Sequence, residues 1–144
     1  MLKRREKTYT PEEVWRADGG ILTLGEDELR ALVSLALSKV PQRVTDRVLK
    51  GCLFVMAKYE WGRATFIPKE LLRNKCVIAV SEKLLDEDGD SAQHTILHEV
   101  AHFYLGHMPS GLVSGCSDDH ESRLEEEADL LAEQWLQESR HDNR

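Results

Sequence analysis

The sequence predicts an α+β domain, with helices at both ends of the chain and a small mixed sheet of about three strands between them. Three observations predict it. Apolar residues recur at helical spacing over residues 26–39, 91–105 and 119–139. Short runs rich in strand formers, residues 52–57 and 76–81, with a third candidate at 64–68, lie between the first two helices. At 144 residues the chain fits one domain, 1–144, large enough to bury a core without covalent staples.

Hydrophobic residues make up 41% and charged residues 31% of the chain, a balance that argues for a soluble globular protein and against wholesale disorder. Cys52, Cys76 and Cys116 are odd in number and have no metal-like spacing, so neither a disulfide framework nor a thiolate metal site is expected. The charged start, Met1 to Lys7, has no apolar region behind it and does not read as a signal peptide. The apolar stretch from Ala31 to Leu37 is too short to span a bilayer. A cytoplasmic protein with no membrane partner is the expectation.

Charge is unevenly spread. Residues 1–75 hold 15 Lys/Arg and 10 Asp/Glu, net +5, whereas residues 76–144 hold 4 and 16, net −12. The basic residues are scattered and have no interleaved aromatics to stack bases, so nucleic acid is not an expected partner.

Taken in order, residues 1–10 are charged and expected to be flexible. Thr10-Pro11-Glu12-Glu13 sets an N-cap before Pro, with acids in the first turn, and Asp18-Gly19-Gly20 ends that short helix near Ala17. From Glu26 to Lys39, Leu29, Leu32, Val33, Ala36 and Leu37 form a helical stripe, and Pro41 marks its end. Residues 44–49 read equally as a helical turn or a loop. The run from Cys52 to Ala57 reads as a strand, followed by a turn at 60–63 and a strand at 64–68 that Pro68 confines to an edge or an end. Cys76 to Ser81 is the clearest strand.

The acidic turn at Asp86–Asp90 lacks a Glu six residues after Gly89, since Thr95 stands there, which excludes a helix–loop–helix calcium site. It reads instead as the break before a helix from Ser91 to Leu105, capped by Asp90 or Ser91. Ile96, Leu97, Val100, Ala101, Phe103, Tyr104 and Leu105 leave that helix almost no polar face, and Gly106 ends it. A loop over 107–117 leads to the last helix, Asp119 to Ser139, with Leu124, Ala128, Leu131 and Trp135 as its buried stripe. Residues 140–144 are expected to be flexible.

The chemistry lies in His98-Glu99-Val100-Ala101-His102. Histidines four apart on a helix project from one face, so both imidazoles reach one cation, and the intervening carboxylate is suited to work on activated water. Unpaired His and Glu are expensive to bury in so apolar a helix, and a metal accounts for all three. A catalytic zinc site has three protein ligands and one open position. Leu105 and Met108 stand where a His-x-x-Gly-x-x-His extension needs Gly and His. The third ligand must therefore come from elsewhere. Glu125 and Asp129, four apart on the last helix with small Ala128 between them, supply a carboxylate ligand and an acceptor that holds His98 in its metal-binding tautomer. Two His and one Glu are the expected ligands of one Zn2+ per chain.

His98-Glu99-x-x-His102 followed by Glu125-x-x-x-Asp129 resembles the gluzincin group of zinc metallopeptidases, and the Glu-x-x-Ala-Asp form resembles the ImmA/IrrE family, minimal gluzincins and HtpX-like peptidases. The motif-bearing part runs from about Cys76 to Leu136. The resemblance implies a zincin-like fold, with the sheet over the active-site helix and a C-terminal glutamate-bearing helix. It implies His98, His102 and Glu125 as zinc ligands, Glu99 as general base and Asp129 as orienter. It further implies that Cys76–Ser81 is an edge strand that pairs with extended peptide. The chain lacks the Phe-rich lead-in of ImmA/IrrE members, having Gln93-His94-Thr95 there.

The expected activity is metallo-endopeptidase hydrolysis of a peptide or protein substrate, in a cleft that a protein partner could complete. Tyr104, His107 and His120 are candidates for contacting substrate or transition state. Core packing competes as a role for Tyr104, and capping or solvent contact for His94. Two other readings differ in class. A non-hydrolytic metal-bound regulator would not need Glu99, and a structural zinc domain would close its coordination with cysteines.

Overall fold

The computed structural model describes residues 7–19, 23, 27–57, 76–106, 113–114 and 122–142. The expected turn at 60–63 and strand at 64–68 lie outside the described residues, as does the 107–117 loop apart from Val113 and Ser114.

Helix α1, Pro11–Asp18, begins in a capping box: Glu13 N donates to Thr10 Oγ1 at 3.1 Å and Thr10 N donates to Glu13 Oε1 at 3.0 Å. Gly19, at φ 63°, ends it in the left-handed region that glycine adopts without penalty. Helix α2, Asp27–Leu37, buries Leu29, Val33, Ala36 and Leu37, as its stripe requires. Arg30 ties the two helices, its guanidinium 3.2 Å from the Asp18 carboxylate and 3.9 Å above the Trp15 ring.

Pro41 does more than follow α2, because it is the N-cap of α3, Gln42–Gly51. The ambiguous segment 44–49 is therefore helical, with Val44, Thr45 and Val48 buried on one face. Residues 7–10 make specific contacts with α3 and its cap. Gln42 N donates to Lys7 O at 3.0 Å, Thr8 bridges Pro41, and Tyr9 OH donates to Asp46 Oδ1 at 2.7 Å. The α3 N-terminus gives that charged segment partners which its own sequence does not reveal.

Strands β1, Cys52–Ala57, and β2, Cys76–Ser81, pair in parallel from Cys52↔Cys76 to Ala57↔Ser81. On the other side of β2, β3 (Val113–Ser114) lies parallel to it opposite Val77 and Ile78. All strand pairings of this sheet among the described residues are parallel. The 58–75 connection is long enough for the crossover that parallel neighbours need. The expected edge strand is corrected, because β2 has neighbours on both sides at Val77 and Ile78. Consecutive β1 residues Cys52, Leu53, Phe54 and Val55 are all buried, so both sheet faces are covered, as in other parallel sheets.

A 3-10 turn, Glu82–Asp86, leads to α4, Gly89–Tyr104. Its N-cap is Asp88, earlier than the expected Asp90 or Ser91. Asp88 is extended at φ −62°, ψ 156°, and its Oδ1 accepts from Ser91 N at 2.9 Å. Gly106, at φ 79°, follows its C-cap Leu105. Helix α5 spans Ser122–Asp142, so Arg140 to Asp142 belong to the helix.

Helix α4 lies against α2, α3, β2 and α5. Ile96, Leu97, Val100 and Ala101 are fully buried, and α5 adds Ala128, Ala132, Trp135 and Leu136 to the same core. Leu105, expected inside, is 41% exposed beyond the last turn. Among the described residues no helix is long and apolar enough to cross a membrane.

Candidate metal centre

Helices α4 and α5 run antiparallel, and their facing side chains form two matched rows. His94, His98 and His102 recur every four residues on α4, while Glu125, Asp129 and Glu133 do so on α5. His94 stands opposite Glu133 and Asp129, His98 opposite Asp129 and Glu125, and His102 opposite Glu125. Ala128 and Ala132, both fully buried, bring the two backbones close enough for short side chains to meet.

Donor atoms of three residues converge at one end of these rows. His98 Nε2 lies 2.8 Å from Glu125 Oε2, His102 Nε2 lies 3.1 Å from Glu125 Oε1, and the two Nε2 atoms are 3.2 Å apart. The imidazoles meet edge to face, with centroids 4.7 Å apart at 85°, so their nitrogens point at one spot instead of stacking. The other nitrogen of His98, Nδ1, lies 3.2 Å from Asp129 Oδ1. A ring that donates from Nδ1 carries its lone pair on Nε2, the tautomer that a metal requires.

The donor set fits a small divalent cation. Zinc bonds of 2.0–2.2 Å at tetrahedral angles put donor atoms roughly 3.3–3.5 Å apart. The observed separations, 2.8 and 3.1 Å to the two oxygens of Glu125 and 3.2 Å between the ring nitrogens, are shorter than that. His98 Nε2 faces a carboxylate and a second ring nitrogen, an arrangement that a positive charge between them makes favourable. His98, His102 and Glu125 thus form a group that could hold a metal ion. Its exposure is graded: the His102 side chain is 1% exposed, His98 18% and Glu125 43%, so the centre is sealed beneath and reaches solvent at Glu125.

The remaining candidates divide clearly. Glu99 is half-buried on α4 and sits about 100° around the helix from His98 and about 60° from His102, flanking the ligand row. Asp129 is 57% exposed and contacts His98 from the solvent side. Glu126 and Glu127 face solvent. Tyr104 turns away from the centre. Its ring packs edge to face on Trp135 at 6.1 Å, Arg43 donates to its hydroxyl, and Arg47 lies 5.0 Å above the ring. A side chain two residues beyond His102 is carried about 200° around the helix, which explains that placement. His107 and His120 lie outside the described residues.

Sequence reasoning missed Glu133 and understated His94. The signal was available, because Glu133 continues the four-residue spacing of Glu125 and Asp129. Comparisons with protein-family models, curated proteins and solved structures found no match.

Proposed function

We propose that the chain is a zinc-dependent metallo-endopeptidase with a zincin-like arrangement, acting on a peptide or protein in the cytoplasm. The observation that carries this reading is the convergence of His98 Nε2, His102 Nε2 and the Glu125 carboxylate at 2.8–3.2 Å, with the Glu125 side open to solvent. Cys52 and Cys76 are buried and form no disulfide, which suits a reducing compartment.

Two imidazoles and one carboxylate would hold the ion and leave a position for water or substrate, as catalytic rather than structural zinc sites do. When bound, zinc supplies Lewis acidity, which lowers the pKa of water toward about 7 and polarises a carbonyl. Asp129 accepts from His98 Nδ1–H and keeps that ring in its ligating tautomer. Glu99 takes the proton from the attacking water and hands it to the departing amine.

The test is Glu99→Gln, assayed for zinc content and for cleavage of a generic peptide library with and without chelator. The variant is expected to keep one zinc and lose cleavage. Loss of the metal by that variant would contradict the assignment of Glu99 as base. Zinc-loaded wild type that cleaves no peptide would favour a binding role.

A further inference from the structure

The rows of histidines and carboxylates extend one turn beyond the metal ligands, and that extra turn has a geometry of its own. His94 Nε2 lies 3.2 Å from Glu133 Oε1 and 3.5 Å from Asp129 Oδ1. The oxygen of Asp129 that His94 approaches is the same Oδ1 that meets His98 Nδ1 at 3.2 Å. Asp129 Oδ1 therefore lies between two imidazoles, one on the metal side and one on the outer side.

The arrangement has a physical purpose. Asp129 and Glu133 are one turn apart on α5, where like charges repel. Both are about half exposed, with side chains 57% and 51% accessible, so burial does not fix the Asp129 carboxylate. An N–H placed between them offsets the repulsion and holds Asp129 against His98. The His94 side chain is only 31% exposed and sits within α4, so it is the less exposed partner.

The geometry points to His94 as a positioning residue of the metal centre, acting through Asp129 on His98 and braced by Glu133. This rests on the reading of His98, His102 and Glu125 as metal ligands. His94 itself holds no ion in this account. It sets how firmly the orienting carboxylate is held, and through it the affinity and ligand field of the centre.

The test is cobalt titration of the full chain, reading both the dissociation constant and the visible ligand-field spectrum, for wild type, His94→Leu, His94→Gln, Glu133→Gln and Asp129→Ala, and for His94→Leu combined with Asp129→Ala. Removing a direct orienting partner of a ligand histidine weakens metal binding about 10–100-fold, the effect expected of Asp129→Ala. One step further out, His94→Leu is expected to weaken it about three- to tenfold, within the lower part of that scale, and to shift the spectrum. His94→Gln, whose amide can donate in place of Nε2, is expected to restore both. In the Asp129→Ala background His94→Leu is expected to change neither, since its route to the metal is gone. Glu133→Gln is expected to fall between wild type and His94→Leu. Wild-type affinity and spectrum in His94→Leu would overturn the proposal, as would an equal effect of His94→Leu with and without Asp129. Absence of cobalt binding by wild type would instead overturn the metal-centre reading and take this inference with it. Thermal unfolding of each metal-free variant separates a general loss of stability, which would leave the spectrum of the bound form unmoved.

Discussion

His98 Nδ1 lies 3.2 Å from Asp129 Oδ1, which leaves the other nitrogen of the same ring facing Glu125. That contact joins residues 31 apart in sequence, and a hydrogen donated from Nδ1 to Asp129 would leave the lone pair on Nε2. The donor geometry at the centre follows from it, and so does the dependence of metal binding on the packing of α4 against α5.

Metal binding should stabilise the fold, because the ligands are assembled only when the two helices pack. Zinc at about a hundredfold excess over its dissociation constant adds about 2.7 kcal/mol, or about 5–10 °C in Tm for a chain of this size. Thermal unfolding with and without zinc checks this, and His102→Ala should abolish the shift.

Ala128 is fully buried where α5 meets α4, between Glu125 and Asp129 in sequence. Ala128→Leu should overpack that contact, costing about 1–3 kcal/mol and weakening metal binding by displacing both carboxylates. Leu130, 65% exposed on the same helix, is the control, and Leu130→Ala should cost under about 0.5 kcal/mol. Denaturant unfolding of the two variants decides it.

Asp88 accepts from Ser91 N and caps the motif-bearing helix. Asp88→Ala should cost about 1 kcal/mol, whereas Asp90→Ala, already inside the helix, should cost only a few tenths. Equal losses for the two in chemical unfolding would contradict Asp88 as the cap.

Tyr9 donates to Asp46, and that hydrogen bond raises its pKa above the ordinary value of about 10. The unfolded chain thus loses this proton first. The contribution is present below pH 10 and is lost as pH rises through the folded-state pKa. Phenol absorbance titrated against pH should show one tyrosine ionising late, and Tyr9→Phe should remove it.

Much of this was legible because it is local. The Thr10–Glu13 capping box, the α2 stripe, the His98–His102 pair and the Glu125–Asp129 pair all depend on residues within one helical turn of each other. Helix α3 was harder, because Val44, Val48 and Leu49 are few and include β-branched residues, and Pro41 reads as a stop as readily as a start. The acidic run before α4 offers several capping residues, and only the fold selects Asp88. The parallel pairing of β1 with β2 depends on the route of residues 58–75, which no local pattern reveals. The contact of His94 with Asp129 and Glu133 required the antiparallel register of α4 and α5, although the spacing of its carboxylates was visible throughout.

The central claim is that three side chains from two helices make one metal centre, and metal content after dialysis tests it most directly. Wild type dialysed against buffered zinc should retain one zinc per chain, while His98→Ala, His102→Ala and Glu125→Ala should each retain far less. A wild type that retains none, or a Glu125→Ala variant that binds zinc as tightly as wild type, would contradict it.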